Sequence, residues 1–252
     1  MSVLDLMQPI GLDDMKAVRL MNRVDQKYMA PASLLDELLA RIADGYYVQH
    51  IEGNLLAPYR TLYFDTGSLE MYTMHHNKKL NRQKLRVRTY RSTETTFFEI
   101  KNKDNKKKTR KVRIPIDVRM FDRCLEVPEV SQFVNENTPY PIAVLHPCLE
   151  NSFERITLVD KGMNERITID RGIRFHNRAT GIDADISPLL VIEVKHEVGA
   201  PMSDIERALH ELHVLPRRMS KYCIGTALTD PSAKRNRFKP KLLFIDKISN
   251  QQ

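Results

Sequence analysis

No stretch of this 252-residue chain approaches the ~20 consecutive apolar residues that a membrane-spanning helix needs. Met1 to Ile10 lacks a basic start followed by an apolar run, so it does not read as a secretory signal. Cysteine is scarce: Cys124, Cys148 and Cys223 are far apart and odd in number. That excludes a disulfide framework, and the absence of Cys-x-x-Cys or Cys/His spacing excludes a zinc ribbon or finger. A reduced, cytoplasmic setting is expected, with the cysteines as small core residues. The histidines are scattered, and neither His75-His76 nor His210 with His213 has a convincing ligand partner. No Ser-His-Asp or Cys-His order stands out. Gly-x-x-x-x-Gly-Lys and Gly-x-Gly-x-x-Gly are both missing, so any phosphate must be held by side chains rather than by a glycine loop.

Basic side chains at every second position are what the chain does have. Lys and Arg number 40 against 32 Asp and Glu, a net charge of +8 with a pI near 9.3. The partner is therefore expected to be anionic, although charge alone leaves nucleic acid, acidic lipid and phosphate metabolites equally open. In Lys84-Leu85-Arg86-Val87-Arg88, charge alternates with apolar residues, and Lys111-Val112-Arg113-Ile114 repeats the pattern. Alternate residues of a strand share one face. Phe98-Glu99-Ile100-Lys101 and Ile192-Glu193-Val194-Lys195 each add a Glu-x-Lys pair. Arg86, Arg88, Lys101, Lys111, Arg113, Arg155, Arg166 and Lys195 lie on six candidate strands. For one strand, an ordinary solvated face explains such charges. Gathered on one concave face they would repel strongly unless an anion neutralised them, and Arg suits bidentate phosphate contacts. Glu99 and Glu193 have two readings: internal salt bridges, or ligands for Mg²⁺ or Mn²⁺ shared with substrate phosphates. Glu193 is the better metal candidate because the apolar run Leu189 to Ile192 before it predicts a central strand. Between Lys101 and Arg113 stand eight basic residues and one Asp, which read as a hairpin with solvated lysines at its tip. Aromatic residues do not interleave there, so base stacking is poorly supported.

Strands are predicted at Tyr46–Ile51, Tyr59–Phe64, Arg82–Tyr90, Thr96–Lys103, Arg110–Ile116, Ser152–Val159, Arg166–Asp170, Ile173–His176 and Leu189–Glu197. Helices are predicted at Leu12–Asn22, from Leu34 to Ile42 with Ser33 as cap and Gly45 as stop, and at Ser203–Val214. Ser203 with Glu206 forms a capping box in sequence. Val118 to Asn137 is weakly helical with a break at Pro128, Met219 to Leu228 suggests one more helix, and Pro139, Pro141 and Pro147 suggest a linker. Tight turns between the strands predict a mostly antiparallel sheet, whose charged face must be enclosed or covered.

The ordered series resembles a known family. Arg23-x-x-x-Lys27-Tyr28, Tyr63-Phe64-Asp65-Thr66, Lys84-Leu85-Arg86-Val87-Arg88, Phe98-Glu99-Ile100-Lys101, Lys111-x-Arg113, Arg155, Arg166-x-Thr168-x-Asp170, Ile192-Glu193-Val194-Lys195 and Ser220-Lys221-Tyr222 are similar to the VTC domain. That is the polyphosphate polymerase domain of the vacuolar transporter chaperone complex, a relative of the triphosphate tunnel metalloenzymes. The resemblance runs from about Arg23 to Gly225. It implies an α+β fold, a closed antiparallel β-barrel forming a triphosphate tunnel with helices packed outside. Residues 1–232 are then one tunnel domain and 233–252 a basic tail. It implies ATP and inorganic polyphosphate as substrates, Mn²⁺ or Mg²⁺ as cofactor, and any membrane attachment through a separate membrane-protein partner. Lys27 is expected beside the reacting phosphate, together with Arg86, Arg88 and Lys101. Lys111, Arg113, Arg155, Arg166, Lys195, Ser220 and Lys221 are expected as phosphate ligands, with Glu193 and Glu99 toward the metal. The Glu-x-Glu-x-Lys strand of the tunnel triphosphatases is absent near the N-terminus, where Arg23 and Lys27 stand. This sets the chain apart from the thiamine-triphosphatase and adenylate-cyclase branch.

Overall fold

The computed structural model of the protein describes residues 2–17, 23–106 and 109–250. The chain first runs through α1 (Val3–Leu6), β1 (Pro9–Ile10), β2 (Arg23–Pro31), α2 (Leu35–Ile42), β3 (Tyr46–Gln49), β4 (Ala57–Thr66) and α3 (Glu70–His76). Then come β5 (Arg82–Tyr90), β6 (Thr95–Lys103), β7 (Thr109–Ile116), α4 (Pro128–Asn137), β8 (Leu145–Asp160) and β9 (Glu165–Asn177). Last are β10 (Asp183–Asp185), β11 (Leu189–Glu197), α5 (Asp204–Glu211), α6 (Lys221–Thr229) and α7 (Lys239–Ser249). The strands form one sheet in the order β2-β11-β9-β8-β4-β5-β6-β7, with antiparallel neighbours throughout. β3 joins β8 and takes β1 as a parallel partner, and β10 joins β9.

The alternation seen in sequence sorts the two faces. Leu85, Val87, Phe98 and Ile100 pack outward against Phe121 and Cys124 of a 3₁₀ segment and Val130 and Val134 of α4. On the other half of the sheet, Ile156, Ile167, Ile192 and Val194 lie under Leu38 and Leu39 of α2 and Ile205 and Leu209 of α5. Each such fully buried side chain contributes roughly 1.5–3 kcal/mol. Helix α6 sits on the opposite, charged side. Its Tyr222, Cys223 and Ile224 cluster with Tyr63, Leu149, Phe153 and Phe175. Gly225 makes that seat possible, because a Cβ there would lie 2.5 Å from the Phe175 ring and 2.6 Å from Leu149. Ile245 and Ile248 of α7 are buried in the same cluster.

The sheet curls, so that Lys27 on β2 and Lys101 on β6 line one cavity of about 250 Å³. Its strand ladder is not a closed ring: among the described residues no pairing joins β2 to β7. The backbone chemistry of the margins gives the reason. Part of the free edge of β2 is taken by the segment before α6, where the Arg217 N–H donates to the Lys27 carbonyl (2.7 Å) and Pro216 bridges Tyr28. β7 carries Pro115, which has no N–H to give a partner strand.

Strands β5 and β11 match their sequence-predicted limits, and Ser203 with Glu206 does form the capping box of α5. Other elements differ for local reasons. Arg166–Asp170 and Ile173–His176 are one strand, β9, carried past Gly172 by a positive φ of 60° beside a register shift in the β8–β9 ladder. Pro147 is inside β8 rather than in a linker, at an irregular point of the β4–β8 ladder. Ser33 falls in a 3₁₀ turn, and Leu34 occupies the cap of α2 without a side-chain cap. The helix expected at Leu12–Asn22 is a 3₁₀ turn at Asp14–Ala17, and its remainder lies outside the described residues, as do Lys107 and Lys108 of the lysine-rich hairpin tip. β2 was not anticipated, because Arg23-Val24-Asp25-Gln26-Lys27 is nearly all polar. No described helix is long and apolar enough to cross a membrane.

Candidate functional site: a concave face of clamped carboxylates

Three carboxylates punctuate the charged face, and each is held by two cations. Glu99 on β6 stands between Arg86 on β5 and Lys111 on β7. Arg86 Nε donates to its Oε2 and Lys111 Nζ to its Oε1, each at 2.7 Å. The side chain is 1 % exposed. Burial pulls the Glu99 carboxyl upward, but Arg86 and Lys111 outweigh it and hold the pKa at about 2. Asp170 on β9 accepts a two-pronged contact from Arg155 of β8, at 2.6 and 2.9 Å, and a further bond from Lys221 of α6. Its pKa is pushed up by burial and more strongly down by those two partners, ending well below the usual carboxylate range. Glu193 on β11 pairs with Lys195 at 3.0 Å and with Lys27 across the ladder to β2. Against burial, Lys27 and Lys195 hold it at about 2.

The remaining cations fill the spaces between these clamps. Arg88, buried, donates to Thr61 Oγ1 at 3.0 Å, and its guanidinium lies 5.3 Å from the Tyr59 ring centre and 5.7 Å from that of Phe153. Lys101 lies between Lys84 and Lys111 on the ladders; water reaches it, yet protein surrounds it on the cavity wall. Lys84 donates to Ser220 Oγ at 2.7 Å, and Ser220 caps α6 by accepting the Cys223 N–H. Burial, aided by Lys101 and Arg86, lowers Lys84 to about 8. Burial likewise brings Lys221 to about 8, despite Asp170. Arg113 is more exposed and stacks on Phe97 at 4.1 Å. Arg166 shares the face but donates to the Met15 carbonyl at 3.3 Å, at the end covered by the N-terminal segment.

Thus the structure gathers the sequence-predicted cations and acids on one side of the sheet, with Arg113 and Arg166 toward its borders. Sequence reasoning assigned no role to Asp170 or Lys84. Both were within reach, since Arg166, Thr168 and Asp170 alternate on one strand and Lys84 continues Arg86 and Arg88. Asp25, which lies opposite Lys195 on the β2–β11 ladder and lines the cavity, had no signal because its strand had none.

No group of three or more His, Cys, Asp or Glu that could hold a metal is assembled among the described residues. An ion bound here would need oxygens from a ligand or water, as Mg²⁺ commonly does in phosphate sites. Glu193, 20 % exposed, is placed to meet one. Both acids have both oxygens in ion pairs, but Glu99 is the more deeply enclosed at 1 % exposure, so the salt-bridge reading fits it better.

The VTC domain family model matches residues 22–229. The chain belongs to the VTC domain family. Its span runs from β2 to α6 and so includes all three carboxylate clamps of this VTC domain. Solved structures are similar to the chain at low identity. A Bacillus halodurans protein put forward as an adenylate cyclase is 15 % identical, with a TM-score of 0.50 over 79 % of this chain and 94 % of its own. A Vibrio parahaemolyticus protein put forward for the same activity is 11 % identical, with a TM-score of 0.46 over 82 % and 99 %. A Hippeastrum protein put forward as an adenylyl cyclase, with a dominant triphosphatase activity, is 13 % identical, with a TM-score of 0.47 over 83 % and 97 %. Among curated proteins none matches the chain.

Proposed function

We propose that this VTC domain is a polyphosphate polymerase that transfers the terminal phosphoryl group of ATP to a polyphosphate chain, with Mn²⁺ or Mg²⁺. The observation that carries the reading is the curled, cation-rich face in which each acid is already shared by two cations. Phosphoryl transfer depends chiefly on positioning and charge neutralisation, and fixed guanidinium and ammonium groups supply both. Arg86, Arg155, Lys111 and Lys221 are oriented by Glu99 and Asp170, so they meet phosphate oxygens without first being ordered. Arg88 is aimed by Thr61 and the aromatic floor. Lys27 and Lys101 line one cavity, and a phosphate chain seated there would bridge β2 to the β6 side of the sheet and complete a tunnel. Glu193, flanked by Lys27 and Lys195, would hold the divalent ion. When bound, that ion neutralises charge on the reacting phosphate oxygens. Arg113, Arg166, Lys195 and Ser220 extend the phosphate path toward its ends. The reading carries with it a cytoplasmic site of action and, for any membrane attachment, a separate protein partner.

Incubation with ATP and Mn²⁺ tests it. Long-chain polymer is the expected product. Orthophosphate without polymer would replace the polymerase by a hydrolase that gives the same group to water. Tight binding of polyphosphate without turnover would leave a binding module.

A further inference from the structure

The turn from β8 to β9 and the segment from β11 to α5 enclose a cavity of about 390 Å³ that shares no lining residue with the concave site. Its wall carries four carboxylates, those of Asp160, Glu165, Glu197 and Asp204, and among the described residues no Lys or Arg. That inverts the balance of a chain whose net charge is +8. The one imidazole in the wall, His196, is turned to its own neighbours: Nδ1 donates to the Glu197 carbonyl at 2.9 Å, and Nε2 lies 3.6 Å from Glu206. A set of surface acids is ordinarily just solvated, but Glu165 is not on the surface. Ile167 and Ile169 of the same strand lie in the apolar layer under α2 and α5, and Glu165 continues their stripe. It is 4 % exposed. Its Oε1 accepts from the Tyr46 hydroxyl at 2.7 Å, and that hydroxyl in turn accepts the Ile205 N–H at 3.3 Å. Its Oε2 is buried and accepts no hydrogen bond. A buried carboxylate with one oxygen left bare is costly. Burial pushes the Glu165 carboxyl up, and Glu206 and Asp160 add to this against the Tyr46 and Ser203 hydroxyls. A cationic donor at Oε2 would remove the cost. A metal ion would need three or more such ligands together, and no such group is assembled among the described residues. An ammonium group needs only acceptors. Ala200, Pro201 and Met202 share the wall, so the cavity offers a buried acid, an apolar stretch and the exposed acids Glu197 and Asp204.

We propose that this cavity binds an aliphatic diamine or polyamine. One ammonium group donates to Glu165 Oε2, the methylene chain lies against Pro201 and Met202, and a second ammonium group sits at the rim with Glu197 and Asp204. The site stands apart from the carboxylate clamps and does not depend on the phosphate reading of them.

Calorimetry with 1,4-diaminobutane, spermidine and butylamine at one ionic strength tests it. The wild type is expected to bind 1,4-diaminobutane about tenfold more tightly than butylamine, or by about 1.4 kcal/mol, and spermidine at least as tightly as the diamine. E165Q, which keeps the size of the side chain and removes its charge, is expected to lose about tenfold for diamine and monoamine alike. The rim variant E197Q/D204N should lose about tenfold for the diamine only. Its unchanged butylamine affinity would also report an intact fold. Should E165Q fail to fold, the rim variant decides alone. Equal affinity of the wild type for diamine and monoamine overturns the proposal, and so does an unaltered diamine affinity in the rim variant. Complete displacement of the diamine by Mg²⁺ at matched ionic strength overturns the choice of an ammonium ligand in favour of a general cation site.

Discussion

Glu193 and Glu99 show how two acids with the same sequence signature acquire different roles. Both sit in a Glu-x-Lys strand, and both are held near pKa 2 by neighbouring cations. Glu99 is sealed by its partners, whereas Glu193 keeps part of its side chain exposed. Glu193→Gln is therefore expected to lower ATP turnover by orders of magnitude while leaving tripolyphosphate binding intact or tighter, since Lys27 and Lys195 are released to the ligand. Glu99→Gln should instead destabilise the fold by about 1–3 kcal/mol, the cost of breaking charge-assisted hydrogen bonds from half-buried Arg86 and the more exposed Lys111. Denaturation curves and turnover assays on the two variants check both outcomes, and full turnover in Glu193→Gln would sink the metal role. The alternation made these acids and most of their partners visible in the sequence. It could not show which acid keeps some exposure, because exposure depends on which strands flank it. β6 is hemmed in by Arg86 and Lys111, while β11 lies beside the marginal strand β2.

Among the elements, α6 carries the most consequence for the site. It packs apolar residues against the concave side of the sheet and delivers Ser220 and Lys221 from its first turn. The contact is too close for any side chain at position 225. Gly225→Ala is expected to cost about 1–3 kcal/mol through overpacking and to weaken tripolyphosphate binding as Lys221 is lifted away from Asp170. Melting and calorimetry read the two effects separately, and a fully stable variant would show that the helix has room to shift. The helix was legible from Met219 to Leu228, but its place inside the curl was not. Helical apolar spacing identifies a buried stripe without saying which face of a sheet will bury it. β2 was illegible for the opposite reason: its polar run hides the alternation of Asp25, Lys27 and Met29 on one face.

At the scale of the whole molecule, the crowding of cations makes both stability and ligand affinity depend on pH, in opposite directions. Folding lowers Lys84 and Lys221 from 10.5 to about 8. Between those values the unfolded chain binds more protons than the folded one, so these two lysines make the ligand-free protein more stable as pH rises from about 8 toward 10.5. Tripolyphosphate affinity should fall over the same interval as the two charges are lost. At the acid end, Glu99 and Glu193 contribute stability above their usual value of 4.5, and it is lost as pH falls toward about 2. Melting curves across this range, with and without tripolyphosphate, check the crossover; parallel curves would contradict it.

An open sheet also has a social consequence. Unsatisfied strand margins recruit the margins of other molecules, and that is how many β-rich proteins come out of solution. Here β2 has part of its border occupied by its own chain through Pro216 and Arg217, and β7 presents a proline preceded by exposed Arg110, Lys111 and Arg113. Two such borders repel each other and cannot zip together in register. The unjoined ladder is therefore expected to leave the protein dispersed at high concentration, which light scattering would check.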